Sequence, residues 1–309
     1  MKHWKIYLEI LLALAFSSFA VSCGKEEDAE PTNNGAQVPS ASAYASEVFG
    51  YEYGPGQHIA LVEKSPATGI VGNNKQSVLL GGWGGHIIVG FDHNINNTVG
   101  EDFIVFCGSS VSPEPGIIYV MSDDNGNSLP DDTWYEIKGS EYGKAGYGQN
   151  YEVTYYKPVT DGSNVTWRDN LGESGDLENS SKWWWHSGSD SVTYKGARLQ
   201  NDAYVNQPQA NGQQYWATRQ ELFRYGYAEN GYAPDRTAEN GYLATDFDAI
   251  LRGNRIEIDS AINNRGEFVH LESIRFVKVQ TGVFQRAGWL GEISTEINGL
   301  ADLHLLENR

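Results

Sequence analysis

Cysteine is nearly absent. Of 309 residues only Cys23 and Cys107 carry a thiol, too few for the disulfide framework that staples small secreted domains. Basic residues are scarce as well, 22 Lys and Arg against 40 Asp and Glu, for a net charge of −18. That balance excludes the basic stripe with which a protein neutralises phosphates, so nucleic acid is not expected as a partner. Helical periodicity is missing: outside a short stretch at Thr218–Tyr227, no segment repeats its apolar residues at helical spacing for more than two turns. Catalytic signatures are missing too. There is no His-Glu-x-x-His and no Gly-x-Ser-x-Gly, and Gly139-Ser-Glu-Tyr-Gly-Lys144 is too short for a phosphate loop. The chain therefore reads as a non-enzyme. The paired carboxylates of a glycan-active hydrolase remain the catalytic alternative, because their separation is set only by the fold.

One long hydrophobic run is present, Ile6–Val21, interrupted by Glu9 and preceded by Lys2 and Lys5. Its length, and its end at Ala20-Val21-Ser22-Cys23, fit a signal peptide over residues 1–22 rather than a spanning helix. The small residues before Cys23 resemble a bacterial lipobox, which implies acylation of Cys23 and attachment to a membrane by lipid alone. The following Gly24-Lys25-Glu26-Glu27-Asp28 resembles the surface-export signal of Bacteroidetes lipoproteins and implies an outer-membrane protein facing the cell exterior. Loss of residues 1–22 takes away two lysines and one glutamate, leaving 20 basic against 39 acidic residues. Residues 23–42 are Glu, Asp, Pro, Asn, Ser and Ala with almost nothing to bury, and read as a flexible acidic tether from the lipidated Cys23. With Cys23 acylated no disulfide is expected, and Cys107, at the end of Phe103-Ile-Val-Phe106, reads as a small buried hydrophobe.

Residues 43–309 contain no second linker and read as a single domain. Short runs rich in β-branched and aromatic residues predict strands at Ser46–Tyr53, Ser77–Leu80, His86–Phe91, Phe103–Phe106, Tyr151–Tyr156, Val165–Trp167 and Ser191–Tyr194. Asn254–Ile262 and His270–Thr281 alternate apolar with polar residues around Asn263-Asn264-Arg265-Gly266 and predict an antiparallel pair. The fold class is all-β, a two-sheet antiparallel sandwich of jelly-roll-like design. Gly81-Gly82-Trp83-Gly84-Gly85 is too glycine-rich for a strand interior and predicts a tight turn that lets the backbone approach something closely.

Gly116–Ile137 carries the most distinctive chemistry: two strand-like runs flank an acidic loop and predict a β-hairpin. In the loop Asp123, Asn125 and Asn127 fall at alternate positions, so their oxygens can converge on one point while Asp131 and Asp132 close it. Oxygen ligands at this spacing begin an EF-hand-type loop and point to a structural calcium ion. The match is partial: Gly126 falls two places early against the glycine of that loop's signature, and Trp134 stands where the bidentate Glu belongs. The alternative is a metal-free Asx-rich turn stopped by Pro130.

Phe276-Val277-Lys278-Val279-Gln280-Thr281-Gly282, then Gly288-Trp289-Leu290-Gly291-Glu292-Ile293-Ser294-Thr295-Glu296, form a longer pattern. With Asp102–Val105, Glu114–Ile117 and Leu129–Ile137, the pattern resembles Bacteroidetes "cell surface protein" lipoproteins, sometimes labelled PKD-containing. The likeness spreads over most of residues 23–309. Such proteins accompany TonB-dependent receptors, including those of corrinoid-uptake loci, so the resemblance implies capture of a small-molecule nutrient for a TonB-dependent transporter. A carbohydrate-binding surface module is the second reading.

The candidate ligand contacts are aromatic. Trp183, Trp184, Trp185 and His186 lie in a polar loop, and three consecutive tryptophans cannot all face one core, since neighbours in an extended segment point to opposite sides. An exposed indole offers a flat apolar surface for a sugar ring or a corrin, and His186 a neutral imidazole for a metal centre. The alternative is that the loop covers the sandwich core. Trp83 and Trp289, each beside glycines, are candidates for a pair at one end of the sandwich. Asp92 and Glu292 are candidates for a second cation.

Overall fold

The computed structural model of the chain describes residues 41–56, 66–107, 113–160, 162–178, 185, 188–206, 211–213, 216–218, 222–230, 247–248, 251–288 and 291–307. Ala41–Arg309 forms one compact unit, and the signal-peptide and lipidation readings, Cys23 included, lie outside the described residues. The domain is all-β, and every strand ladder among the described residues is antiparallel.

The largest sheet has seven strands. Six run in the order β1 (Glu47–Glu52), β3 (His86–Asn96), β17 (Ser273–Thr281), β5 (Gly116–Met121), β6 (Tyr135–Ile137) and β16 (Ala261–Ile262), and β13 (Tyr227–Ala228) also pairs with β5. A four-stranded sheet, β14 (Phe247–Asp248), β15 (Gly253–Ile256), β4 (Phe103–Phe106) and β19 (Gly299–Asp302), packs on one face of it. Between the two lies the main core, where Ile87, Val89, Ile118, Val120, Val277 and Val279 meet Phe103, Val105, Ile256 and Leu300. The two-sheet sandwich follows from the pleat: alternate residues of β5 and β17 supply this face, and a bulge between Ile274 and Phe276 lets Ile274 join it.

The opposite face of the large sheet is covered as well. A second four-stranded sheet, β10 (Ser191–Arg198), β7 (Gly148–Tyr156), β8 (Val165–Asp169) and β9 (Ser174–Leu177), meets it through β10. The Ala197 N–H donates to Tyr119 Oη at 2.8 Å, and Gln280 Nε2 donates to the Lys195 carbonyl at 3.2 Å. Short pairs, β11 (Tyr204–Asn206) with β12 (Trp216–Thr218) and β18 (Glu296–Ile297) with β2 (Val78–Leu79), and one helix, α1 (Leu303–Glu307), complete the described elements.

The Gly81–Gly85 turn has the close neighbour its composition predicts. Gly81 and Gly84 take φ of 72° and 92°, and a Cβ on Gly85 would collide with the Leu80 carbonyl oxygen and the Gly54 nitrogen. Gly54 donates to the Leu80 carbonyl at 2.8 Å, so the end of the first strand segment lies directly against the turn.

Two expectations are corrected. Asn254–Ile262 and His270–Thr281 do not pair with each other: β15 pairs with β4 and β14, β16 with β6, and β17 inserts between β3 and β5. The 3-10 turn Ile258–Ser260 breaks the first run and sends its two halves to different sheets, leaving only the Ile262–Phe268 bridge of the expected hairpin. Thr218–Tyr227 is not helical where it is described: Thr218 ends β12 and Tyr227 begins β13, whose pairing with β5 overrides the weak helical period. The β5–β6 hairpin is present, with Tyr119 opposite Glu136 and Val120 opposite Tyr135.

Candidate functional site

Tyr151, Val153 and Tyr155 alternate along β7 and turn one face of their sheet inward, where they pack with Trp83, Val165 and Tyr194. Aromatic residues too large to close this corner completely leave a cleft of about 550 Å³ above it. Trp83 forms part of its floor, 1% exposed, with its ring edge-on to Tyr151 at a centroid distance of 4.8 Å. Tyr155 holds the turn in place, its hydroxyl donating to the Trp83 carbonyl at 3.0 Å. Trp167 on β8 and Phe284 form the wall, 4.9 Å apart at 69°.

Charge is concentrated around these rings. Tyr151 donates to Asp169 Oδ2 at 2.8 Å, and the other Asp169 oxygen accepts the Leu171 and Glu173 N–H groups at 3.0 and 2.7 Å, so this carboxylate is fixed by the fold. Burial, and after it the bond to Asp169, pushes the Tyr151 phenol above its ordinary value, which keeps it neutral. The Arg198 guanidinium lies over the Tyr151 ring at 4.2 Å. Arg286 pairs with Glu178 at the rim. Among the described residues, two buried donors of side chains at the cleft, Trp83 Nε1 and Arg198 Nε, have no hydrogen-bond acceptor.

The tryptophan loop is described only at Trp185. That side chain is half-buried, packs against the aromatic cluster of Trp83 and Tyr151, and donates through Nε1 to the Ser189 carbonyl at 2.8 Å. Trp183, Trp184, His186 and Trp289 lie outside the described residues. Trp83 is thus placed in the cleft, but as a buried floor rather than an exposed platform. Asp92 is bound to His93 at 2.7 Å and accepts the Ser42 N–H at 3.2 Å, whereas Glu292 lines the cleft.

The acidic hairpin loop folds through Asx turns. Asp123 Oδ2 accepts the Ser128 N–H at 3.0 Å, Asn125 Oδ1 the Asn127 N–H at 3.0 Å, and Asn127 Oδ1 the Leu129 N–H at 2.7 Å. Asp132 accepts the Asp124 N–H at 3.1 Å. The amide nitrogens of Asn125 and Asn127 donate to Asp131 and hold its carboxyl below the usual range. Asp123 Oδ1 is buried and has no donor among the described residues. Among the described residues no three His, Cys, Asp or Glu side chains already stand as a metal-binding group.

Sequence reasoning missed Tyr151, Trp167, Arg198 and Phe284. The alternation Tyr151-x-Val153-x-Tyr155 carries the signal for an aromatic inward face, but nothing in the sequence brings residues 83, 167, 198 and 284 to one place. No protein-family model matches the chain, and no curated protein matches it at a significant level.

Proposed function

We propose that this chain is a lipid-anchored surface protein that captures a small hydroxylated organic molecule in the aromatic cleft and hands it to a TonB-dependent transporter. The reading rests on the half-exposed Trp167 ring set against Phe284 in the wall of the cleft. The rings of Trp167 and Phe284 suit the C–H face of a sugar, and about 550 Å³ is ordinary for a small-ligand site. Oxygen acceptors on an apolar face are what a glycan presents, and these features favour it over a corrinoid. Ala20-Val21-Ser22-Cys23 and the acidic run behind it support the lipid anchor and the outward orientation.

Calorimetric titration of the purified protein with a panel of saccharides and with cobalamin tests the reading. Trp167→Ala should weaken binding by about 1 kcal/mol, roughly fivefold, with little loss of stability because Trp167 is half-exposed. Absence of binding by either class, or binding to which Trp167→Ala is indifferent, would remove the cleft from consideration.

We infer that the hairpin loop takes calcium as a structural ion. The reading is supported by an Asp123 side chain only 6% exposed, with one oxygen that has no donor among the described residues and the other 3.9 Å from Arg275 Nε. Asp123, Asp131 and Asp132 would hold it together with the amide oxygens of Asn125 and Asn127, whose amides must turn from their present bonds to Asp131. The ion supplies the positive charge that offsets repulsion among the carboxylates.

A further inference from the structure

A second cleft, of about 410 Å³, opens where β7 and β10 meet the large sheet, and shares no lining residue with the first. Adjacent positions of β17, β5 and β6 line up three side chains across it: Lys278 pairs with Tyr119, and Tyr119 with Glu136. Cross-strand partners stand on the same face, so the amine, the phenol and the carboxyl form one row. Trp134 flanks the row. The Lys278 ammonium lies 4.1 Å from the Tyr119 ring centre and 5.6 Å from that of Trp134. Among the described residues its Nζ takes no hydrogen bond and no ion pair, in contrast to Lys195, which is bound to Glu152 at 2.7 Å on the other wall. Glu136 is occupied by the Tyr147 hydroxyl, 2.9 Å from both of its oxygens.

We propose that Lys278 is a nucleophilic lysine, and that this cleft takes a small carbonyl compound, an aldehyde or ketone bearing a flat or apolar group, as a reversible imine on Nζ. An amine that faces a cavity, is held between ring faces and is satisfied by no protein group is available to a ligand in a way that surface lysines, wrapped in water, are not. The Nζ lone pair adds to the carbonyl carbon. The carbonyl oxygen then leaves as water with the two hydrogens of the neutral amine, and water reverses the step, so no oxidant or reductant takes part. Tyr119 and Trp134 provide the apolar walls for the rest of the ligand, and the Gln149, Asn150 and Asn263 side chains line the polar rim.

The titration of Lys278 is set by the groups that face it. Burial pushes the amine down to about 8, against the pull of Glu136, while Glu136 is itself raised to about 7. The Glu152–Lys195 pair faces the cleft from β7 and β10 with its charges matched. At pH 7.5 an amine of this kind has roughly two hundred times the neutral fraction of an ordinary lysine. Its lower basicity makes each neutral amine less nucleophilic, and the aromatic faces favour the ammonium. The labelling rate reads the balance, which we set at about tenfold in favour of Lys278.

The purified protein is treated with propionaldehyde and cyanoborohydride between pH 6.5 and 9.5, and each lysine is followed by peptide mass mapping. Lys278 should be alkylated about tenfold faster at pH 7.5 than the exposed Lys144, Lys157 and Lys195, with a midpoint near pH 8. Glu136→Gln should lower that midpoint, because the variant removes the charge that favours the ammonium; Lys278→Met should abolish the fast site. A Lys278 that labels no faster than Lys157, or a midpoint that Glu136→Gln leaves unmoved, overturns the proposal. Saccharide binding at the first cleft is untouched by either outcome, so the two sites stand or fall separately.

Discussion

Glu136→Gln should make the protein more stable, and increasingly so as pH rises from 4.5 to 7. The carboxyl is 7% exposed on β6, opposite Tyr119 and Ile262. Burial raises it from 4.5 to about 7, with the Tyr147 hydroxyl and then Lys278 pulling back. Below pH 4.5 the group is protonated both folded and unfolded and contributes nothing. Between 4.5 and 7 the unfolded chain ionises while the native state keeps its proton, so unfolding becomes easier with each pH unit; above 7 the penalty is complete and constant. A rise of this size amounts to about 3 kcal/mol. Gln keeps a hydrogen-bonding group of the same shape for Tyr147 and never ionises. Urea denaturation of wild type and variant at pH 4.5, 5.5, 6.5 and 7.5 cancels in the difference the titrating groups that Glu136 does not touch, and that difference should grow by about 3 kcal/mol across the series. A difference independent of pH would refute the reasoning, and one of opposite sign would mean that Lys278 and Tyr147 hold the carboxylate ionised.

Calcium should stabilise the wild type by about 2.7 kcal/mol at a hundredfold excess over the dissociation constant. Asp123→Ala should lose most of that response and melt no higher than wild type in chelator, because it also removes the acceptor of the Ser128 N–H; superimposable melting curves with calcium and with chelator would exclude the ion. Gly85→Ala should cost at least about 1–3 kcal/mol, because the added methyl meets backbone at Leu80 and Gly54 rather than a movable side chain; an unchanged melting temperature would show that the turn can open without loss.

Apolar content and alternation were enough to place β4 at Phe103–Phe106 and the β5–β6 hairpin, because strands buried on both faces leave continuous apolar runs. The all-β class follows from the same signals. Alternation names the face of a residue and not its neighbour, which is why Asn254–Ile262 and His270–Thr281 read as partners although β17 lies between β3 and β5. Lys278 and Glu136 alternate with apolar residues and so read as solvent-facing; only the sheet of β7 to β10, folded over that side, turns them into cleft residues. Trp83 was legible as a site residue from its glycine neighbours, but its burial depends on Tyr151, Tyr155 and Phe284, which lie far along the chain. The Asx turns of the hairpin loop were legible because they are local, closed between residues a few positions apart.

The segment leading out of residues 1–40 is stitched into the fold at once. Ala45 donates to the Leu300 carbonyl at 3.0 Å, Asp302 donates to the Ala43 carbonyl at 2.7 Å, and Tyr44 bridges Ala301 in antiparallel fashion. Tension transmitted along the chain to residue 41 therefore arrives first at β19, which passes it to β4 and the main core. A pull along the strand axis loads these bonds side by side, in shear, and a sideways pull opens them one after another like a zip. The aromatic cleft sits on a different sheet and is not in the line of force. If the chain is moored and loaded as proposed, a ligand in the cleft could be pulled on without the mouth of the site being the first part to yield.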